Sequence, residues 1–234
     1  DDPQLAVEAG KKKQAFFERY KRLTQAIGAW VNLPFAGKYI LGGRLTGLNR
    51  YRGVADPTEV LAFDRNAVVL ADNGGEISTV DFKPSATRVE PYDPADVRQR
   101  EDEIGQRPMD YERLIVAQEI WQLPLKRLLV AAARRATEKS ECESDYFFVI
   151  PLPNDDVAIL NANRSAERPL AFVKRGDALP EPRSEITIDP RYLFGLLTNV
   201  YHWNNAEVGS QYQTRRIPNT LNRKAQSYLN YLAL

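Results

Sequence analysis

Between Lys83 and Pro108 the chain runs through Pro, Asp, Arg and Glu with few apolar residues, and this polar interval separates two stretches that each carry apolar patterns. A segment of that kind cannot be threaded through a core, so it is expected to be a linker or surface excursion, with a boundary near residue 95. Two units follow, 1–95 and 96–234. The full length of 234 residues gives them enough chain to bury a core.

Within the first unit, Leu5, Ala9, Phe16, Tyr20, Leu23 and Ile27 recur at helical spacing, predicting an amphipathic helix from Pro3 to about Trp30, entered by Asp2-Pro3. Leu33 to Gly43 holds a proline and three glycines and reads as a short strand entering a tight loop. Asp56-Pro57-Thr58-Glu59 carries helix-start chemistry, predicting a short helix to about Phe63. Ala67 to Ala71 reads as a buried strand, Asp72 to Gly75 as a turn and Glu76 to Phe82 as another strand. In the second unit, Asp110 to Lys139 has a helical pattern that Pro124 must kink or split. Tyr146 to Leu152 and Val157 to Asn161 flank Pro153-Asn154-Asp155-Asp156 as a hairpin, with Leu170 to Lys174 and Glu185 to Ile188 as further strands. Helices are expected from Asp189-Pro190 to about Val200 and from about Thr220 to the end. The class is α+β or α/β.

Lys and Arg number 32 against 31 Asp and Glu, for a net charge of +1, so a nucleic-acid partner is not indicated. The most apolar runs, Val68 to Ala71, Leu128 to Ala133 and Tyr146 to Leu152, fall far short of the roughly 20 residues of a membrane span. The lone cysteine, Cys142, cannot form an internal disulfide, which points to a reducing, cytoplasmic compartment. With a single histidine, His202, the chain cannot build an ordinary zinc site, and no metal ligand is assigned to it. A chain opening Asp1-Asp2-Pro3 without Met is expected to be trimmed, processed or one domain of a longer protein.

The densest group of chemically capable side chains is Tyr201-His202-Trp203-Asn204-Asn205-Ala206-Glu207. Histidine is the side-chain type best suited to acid–base work near neutral pH, and Glu207 could orient His202 or share its proton. The plainer reading is a helix-ending turn whose amides cap carbonyls and whose Trp203 plugs the core. The run Gly37 to Gly47, with Lys38 and Arg44, can present N–H groups and positive charge to an anion. It lacks both the Gly-Lys-Ser/Thr ending of a phosphate loop and the spacing of a dinucleotide fingerprint, which favours a structural turn.

Leu33-Pro34-Phe35-Ala36-Gly37-Lys38-Tyr39, followed by Asn49-Arg50-Tyr51-Arg52-Gly53-Val54-Ala55-Asp56-Pro57-Thr58-Glu59-Val60, resembles the C-terminal part of metallo-β-lactamase-fold proteins. The group in question includes CMP-sialic-acid hydroxylase-like and lipid-phosphodiesterase-like members. In it, a Pro-Phe-Ala-like strand follows the metal-binding half, then a helix begins near an Asp-Pro-x-Glu step, then a strand ends at the position of Asp72. Arg191-Tyr192-Leu193 to Glu207-Val208-Gly209-Ser210, with Arg216-Ile217-Pro218, looks like a tail that some bacterial members append.

The resemblance implies that residues 1–95 are the C-terminal half of an αββα sandwich, followed by a small α+β accessory domain. It implies hydrolysis of a phosphoester or related bond by metal-bound hydroxide. Such proteins hold their metals through a His-x-His-x-Asp-His cluster with further His and Asp, which one histidine cannot supply. A divalent Zn, Fe or Mn ion therefore implies ligands from an additional chain or segment, and the partner expected is that second polypeptide; otherwise the fold is degenerate and only binds. Asp72 takes the position of a late active-site residue. On this reading Asp72 and His202 act in catalysis, while Asn73, Arg44, Asn204, Asn205 and Glu207 contact substrate. The alternative is a non-catalytic binding or assembly subunit, to which two long amphipathic helices, 11 tyrosines and 3 tryptophans are suited. Whether Phe16, Tyr20 and Ile27 are covered by this chain or left for another discriminates the two. A small-molecule carrier built on the second unit is a third possibility.

Overall fold

Three Asp-Pro steps, Asp56-Pro57, Asp93-Pro94 and Asp189-Pro190, each put the aspartate at an N-cap and the proline at the start of a helix. The aspartate side chains accept hydrogen bonds from the N–H groups of Thr58, Ala95 and Arg191 at 2.8, 2.7 and 2.9 Å. Proline fits there because its fixed φ is already helical and its missing N–H has no partner to lose. The computed structural model describes the chain apart from residues 1–2, 36–38, 72–74, 84–88, 90 and 92. The chain divides into two compact units, Asp1–Arg107 and Pro108–Leu234.

The first unit contains α1 (Pro3–Ile27), 3₁₀ helices at Gly43–Tyr51 and Pro57–Ala62, and α2 (Pro94–Gly105). The helix α2 occupies the stretch expected to be a linker. It buries no residue, so apolar periodicity gave no sign of it, and the signal present was the Asp93-Pro94 cap. The boundary placed near residue 95 falls in its first turn. Its buried apolar residues are Leu41, Leu45, Ala55, Val60 and Val69. The strands expected at Leu33 to Gly43, Ala67 to Ala71 and Glu76 to Phe82 do not form a ladder among the described residues. The pairing there is isolated: Asn32 bridges Ala67 in parallel, and Ile77 takes part in a single bridge. A strand requires a neighbour for its N–H and C=O groups, and the described residues of this unit supply almost none. Most of the Asp72 to Gly75 turn lies outside the described residues.

In the second unit the pattern from Asp110 to Lys139 resolves into α3 (Asp110–Leu114), a 3₁₀ turn at Ala117–Gln122 and α4 (Leu125–Lys139), with Pro124 as the N-cap of α4. There follow β1 (Phe147–Pro151), β2 (Asp156–Asn161), β3 (Leu170–Lys174), β4 (Arg183–Ile188), α5 (Pro190–Leu197), α6 (Trp203–Val208), β5 (Tyr212–Ile217) and α7 (Arg223–Leu229). The five strands form one sheet in the order β3-β2-β1-β4-β5, in which β1 and β4 are parallel and the other pairs antiparallel. The hairpin pairs Phe148 with Leu160 and Ile150 with Ala158. Alternation sends Phe148, Ile150, Ala158, Leu160 and Ile186 into a single core with α4, α5 and α7. Leu129, Ala132, Ala133, Leu196 and Tyr228 are fully enclosed there. α4 is amphipathic because its buried residues, Leu125, Leu128, Leu129, Ala132, Ala133 and Ala136, repeat at steps of three and four. The molecule is thus a mixed α+β protein.

Candidate functional site

The residues singled out around His202 form α6, a helix of six residues with His202 as its N-cap. Trp203 is 3% exposed and donates from Nε1 to the Leu232 carbonyl at 2.9 Å, with its ring edge-on to Tyr212. That bond fixes the turn to the C-terminal segment, as an indole N–H in a core requires. His202, Asn204, Asn205 and Glu207 point outward and are exposed. Asn204 Oδ1 accepts from the Asn205 N–H at 2.8 Å, and Glu207 accepts from Gln226 Nε2 at 3.3 Å. Among the described residues, no hydrogen bond joins His202 to Glu207. Arg44 lies in the other unit, exposed on the 3₁₀ helix Gly43–Tyr51. Asp72 and Asn73 lie outside the described residues. No group of three or more His, Cys, Asp or Glu is placed to hold a metal ion among the described residues. No helix among them is long and apolar enough to cross a membrane.

The feature that sequence reasoning named only as a discriminator is the surface of α1. None of its residues is buried. One side leans on the Pro57–Ala62 segment: Phe17 and Tyr20 meet Phe63 edge-on at 5.5 and 6.1 Å, and Lys13 pairs with Glu59 at 2.6 Å. Tyr20 donates to Asp64 Oδ2 at 2.8 Å, beside a 2.9 Å bond from Asn32. Burial pushes the Tyr20 hydroxyl up, and its bond to Asp64 pushes the same way. For Asp64 burial acts upward, but the bonds from Tyr20, the Asn66 backbone and Asn32 outweigh it and hold the carboxyl below its usual range.

Among the described residues, no such contacts are seen for the adjoining side. Phe16 is 43% exposed, Leu23 52% and Ile27 72%, and just beyond the helix Trp30 and Phe35 reach 84% and 85%. Single exposed apolar residues are ordinary, but a helical stripe running into two solvent-facing aromatics is a surface that water covers poorly. On the second unit, a cavity of about 540 Å³ opens beside Phe147, Ile159 and Ala171. Asp145 stands at its edge, held ionised below its usual range by bonds from Asn161 and then Asn163, both at 2.9 Å.

The sequence matches no family model and no curated protein. Among solved structures it is similar to a conserved hypothetical protein of Thermus thermophilus, described as possibly a sterol carrier protein. That likeness has 17% identity and a TM-score of 0.28, over 49% of this chain and 87% of that one. A TM-score of that size does not define a common fold.

Proposed function

We propose that this chain is the non-catalytic, binding part of a metal-dependent hydrolase-like assembly, in which α1 seats against polypeptide that carries the metal ligands. The observation that carries this reading is α1 itself, 25 residues long, with no buried side chain and an exposed row at Phe16, Leu23 and Ile27. Adding a covering surface would remove that row from water, at roughly 25 cal/mol per Å² of apolar area. The run from Leu33 to Val60 resembles the C-terminal part of metallo-β-lactamase-fold proteins, which makes the metal-binding half of such a hydrolase the partner of choice and a phosphoester or related bond the substrate. In this arrangement the metal ligands are the partner's. Residues 1–95 complete an αββα sandwich on that partner, which would supply further strand neighbours to their extended segments.

The test is mass and metal content of the protein purified from its own source by size exclusion with light scattering. The expected species is heavier than the 26.6 kDa chain and carries about one or two divalent ions per complex. Replacing Leu23 and Ile27 by Glu should release the chain at its own mass. A metal-free species of 26.6 kDa in the unaltered protein would overturn the reading.

A further inference from the structure

The cavity beside Phe147 lies on the face of the sheet opposite the core it shares with α4, α5 and α7. Phe148, Ile150, Ala158 and Leu160 belong to that core, so alternation puts Phe147, Ile159 and Ala171 on the other face. The ladder sets Phe147 across from Asn161 and Ile159 across from Ala171, which joins the apolar side chains to the polar ones at one end. The space they line, about 540 Å³, is of the size that takes a small organic molecule.

Asp145, at the polar end, is held in place before any ligand arrives. Asn161, only 8% exposed, donates from Nδ2 to Asp145 Oδ1 at 2.9 Å, and Asn163 donates from Nδ2 to the same oxygen at 2.9 Å. The Asn161 Oδ1 accepts from the Asn163 N–H at 3.0 Å, which stops its amide from turning away. The backbone behind them is tied as well: the Ala162 N–H donates to the Tyr146 carbonyl and the Arg164 N–H to the Cys142 carbonyl, both at 2.8 Å. Both donors to Asp145 are neutral, and both go to one oxygen. Among the described residues Asp145 has no ion pair, and its Oδ2 accepts no hydrogen bond. The other charged residues of the lining are Glu167 and Arg168, and neither side chain has a partner among the described residues. Two carboxylates therefore face this space against one guanidinium. A carboxylate fixed by neutral amides keeps its whole charge for a cation, and an ammonium group brings N–H donors to its open lone pairs. A bare metal ion would leave the apolar floor unused, and among the described residues no three acidic, Cys or His groups come together to hold one.

We propose that this cavity binds a primary ammonium group attached to an apolar body, with the ammonium on Asp145 and the apolar part against Phe147, Ile159 and Ala171. Free amines and apolar α-amino acids share that chemistry, and in the second case Arg168 takes the carboxylate. The site lies within the second unit and does not involve α1, so it stands or falls separately from the assembly reading.

The experiment is calorimetric titration of the full chain with phenethylamine, L-phenylalanine and hydrocinnamate, which share an aromatic body and differ in their charged groups. At least one of the two ammonium compounds is expected to saturate and to bind about tenfold or more tightly than hydrocinnamate, with affinity falling as salt rises. Tighter binding of L-phenylalanine than of phenethylamine, with the difference lost in Arg168→Gln, would identify an amino acid as the source of the ammonium group; the reverse order would identify an amine. Asp145→Asn should lower affinity about tenfold or more with unchanged circular dichroism. Should that variant unfold, Ala171→Trp, which fills the floor from an exposed strand position, decides, with a comparable loss expected. Saturation by neither ammonium compound, hydrocinnamate binding as tightly as they do, or binding undiminished in the folded variants would overturn the proposal.

Discussion

Asp156 begins β2 with two ammonium groups on its carboxylate, Lys126 at 2.5 Å and Lys174 at 2.8 Å, while its own side chain is 11% exposed. The bond from Lys126, then that from Lys174, holds the carboxyl below its usual range. A group whose folded value is depressed stabilises the fold above its unfolded pKa of about 3.9 and loses that contribution as pH falls through the folded value. Asp156→Asn should therefore melt lower than wild type at pH 7, with the gap closing below about pH 4 in thermal scans. A gap that is the same at both pH values would show that the ion pairs do not act. Of this cluster the sequence displays only an aspartate in a turn, because its lysines are 30 and 18 positions away in the chain. Gly195 was equally silent, although a Cβ there would fall 2.3 Å from the Tyr201 ring.

Two amphipathic helices with similar patterns have different fates. Leu129 on α4 is 0% exposed, while Ile27 on α1 is 72% exposed. Leu129→Ala should cost about 2–5 kcal/mol by transfer and cavity terms, whereas Ile27→Ala should stay within about 0.5 kcal/mol in the isolated chain, as read by urea unfolding. A large loss for Ile27→Ala would mean that this chain covers the stripe itself. Element type was legible at the caps Asp56-Pro57 and Asp189-Pro190, at the break at Pro124 and in the alternation of the hairpin, but the Asp93-Pro94 cap of α2 went unread inside a polar stretch expected to be a linker. Besides α2, β5 and α6 were missed. β5 reads Tyr-Gln-Thr-Arg-Arg-Ile with no buried residue, and α6 is short and polar apart from Trp203 and Ala206.

For the molecule as a whole, buried apolar contact is concentrated between Pro108 and Leu234, where one sheet and its helices share a core. Hydrogen exchange should accordingly show its strongest protection in β1, β2 and α4, and fast exchange along α1, whose amides are shielded by no buried side chain. Protection of α1 equal to that of α4 in the isolated chain would contradict this. The sequence by itself determined the features that are settled within a few residues of each other: where helices start, where Pro124 breaks one, how the hairpin turns, and which strand face is apolar. The tertiary structure decided what distant segments do to one another. It set β4 parallel beside β1, brought β5 to β4, enclosed Trp203 against Leu232 and pressed Gly53 onto Ala9. Caps and alternation follow from backbone hydrogen bonding and side-chain period, which any short window contains. Pairings across tens of residues depend on which apolar surfaces remain to be covered once those local elements have formed.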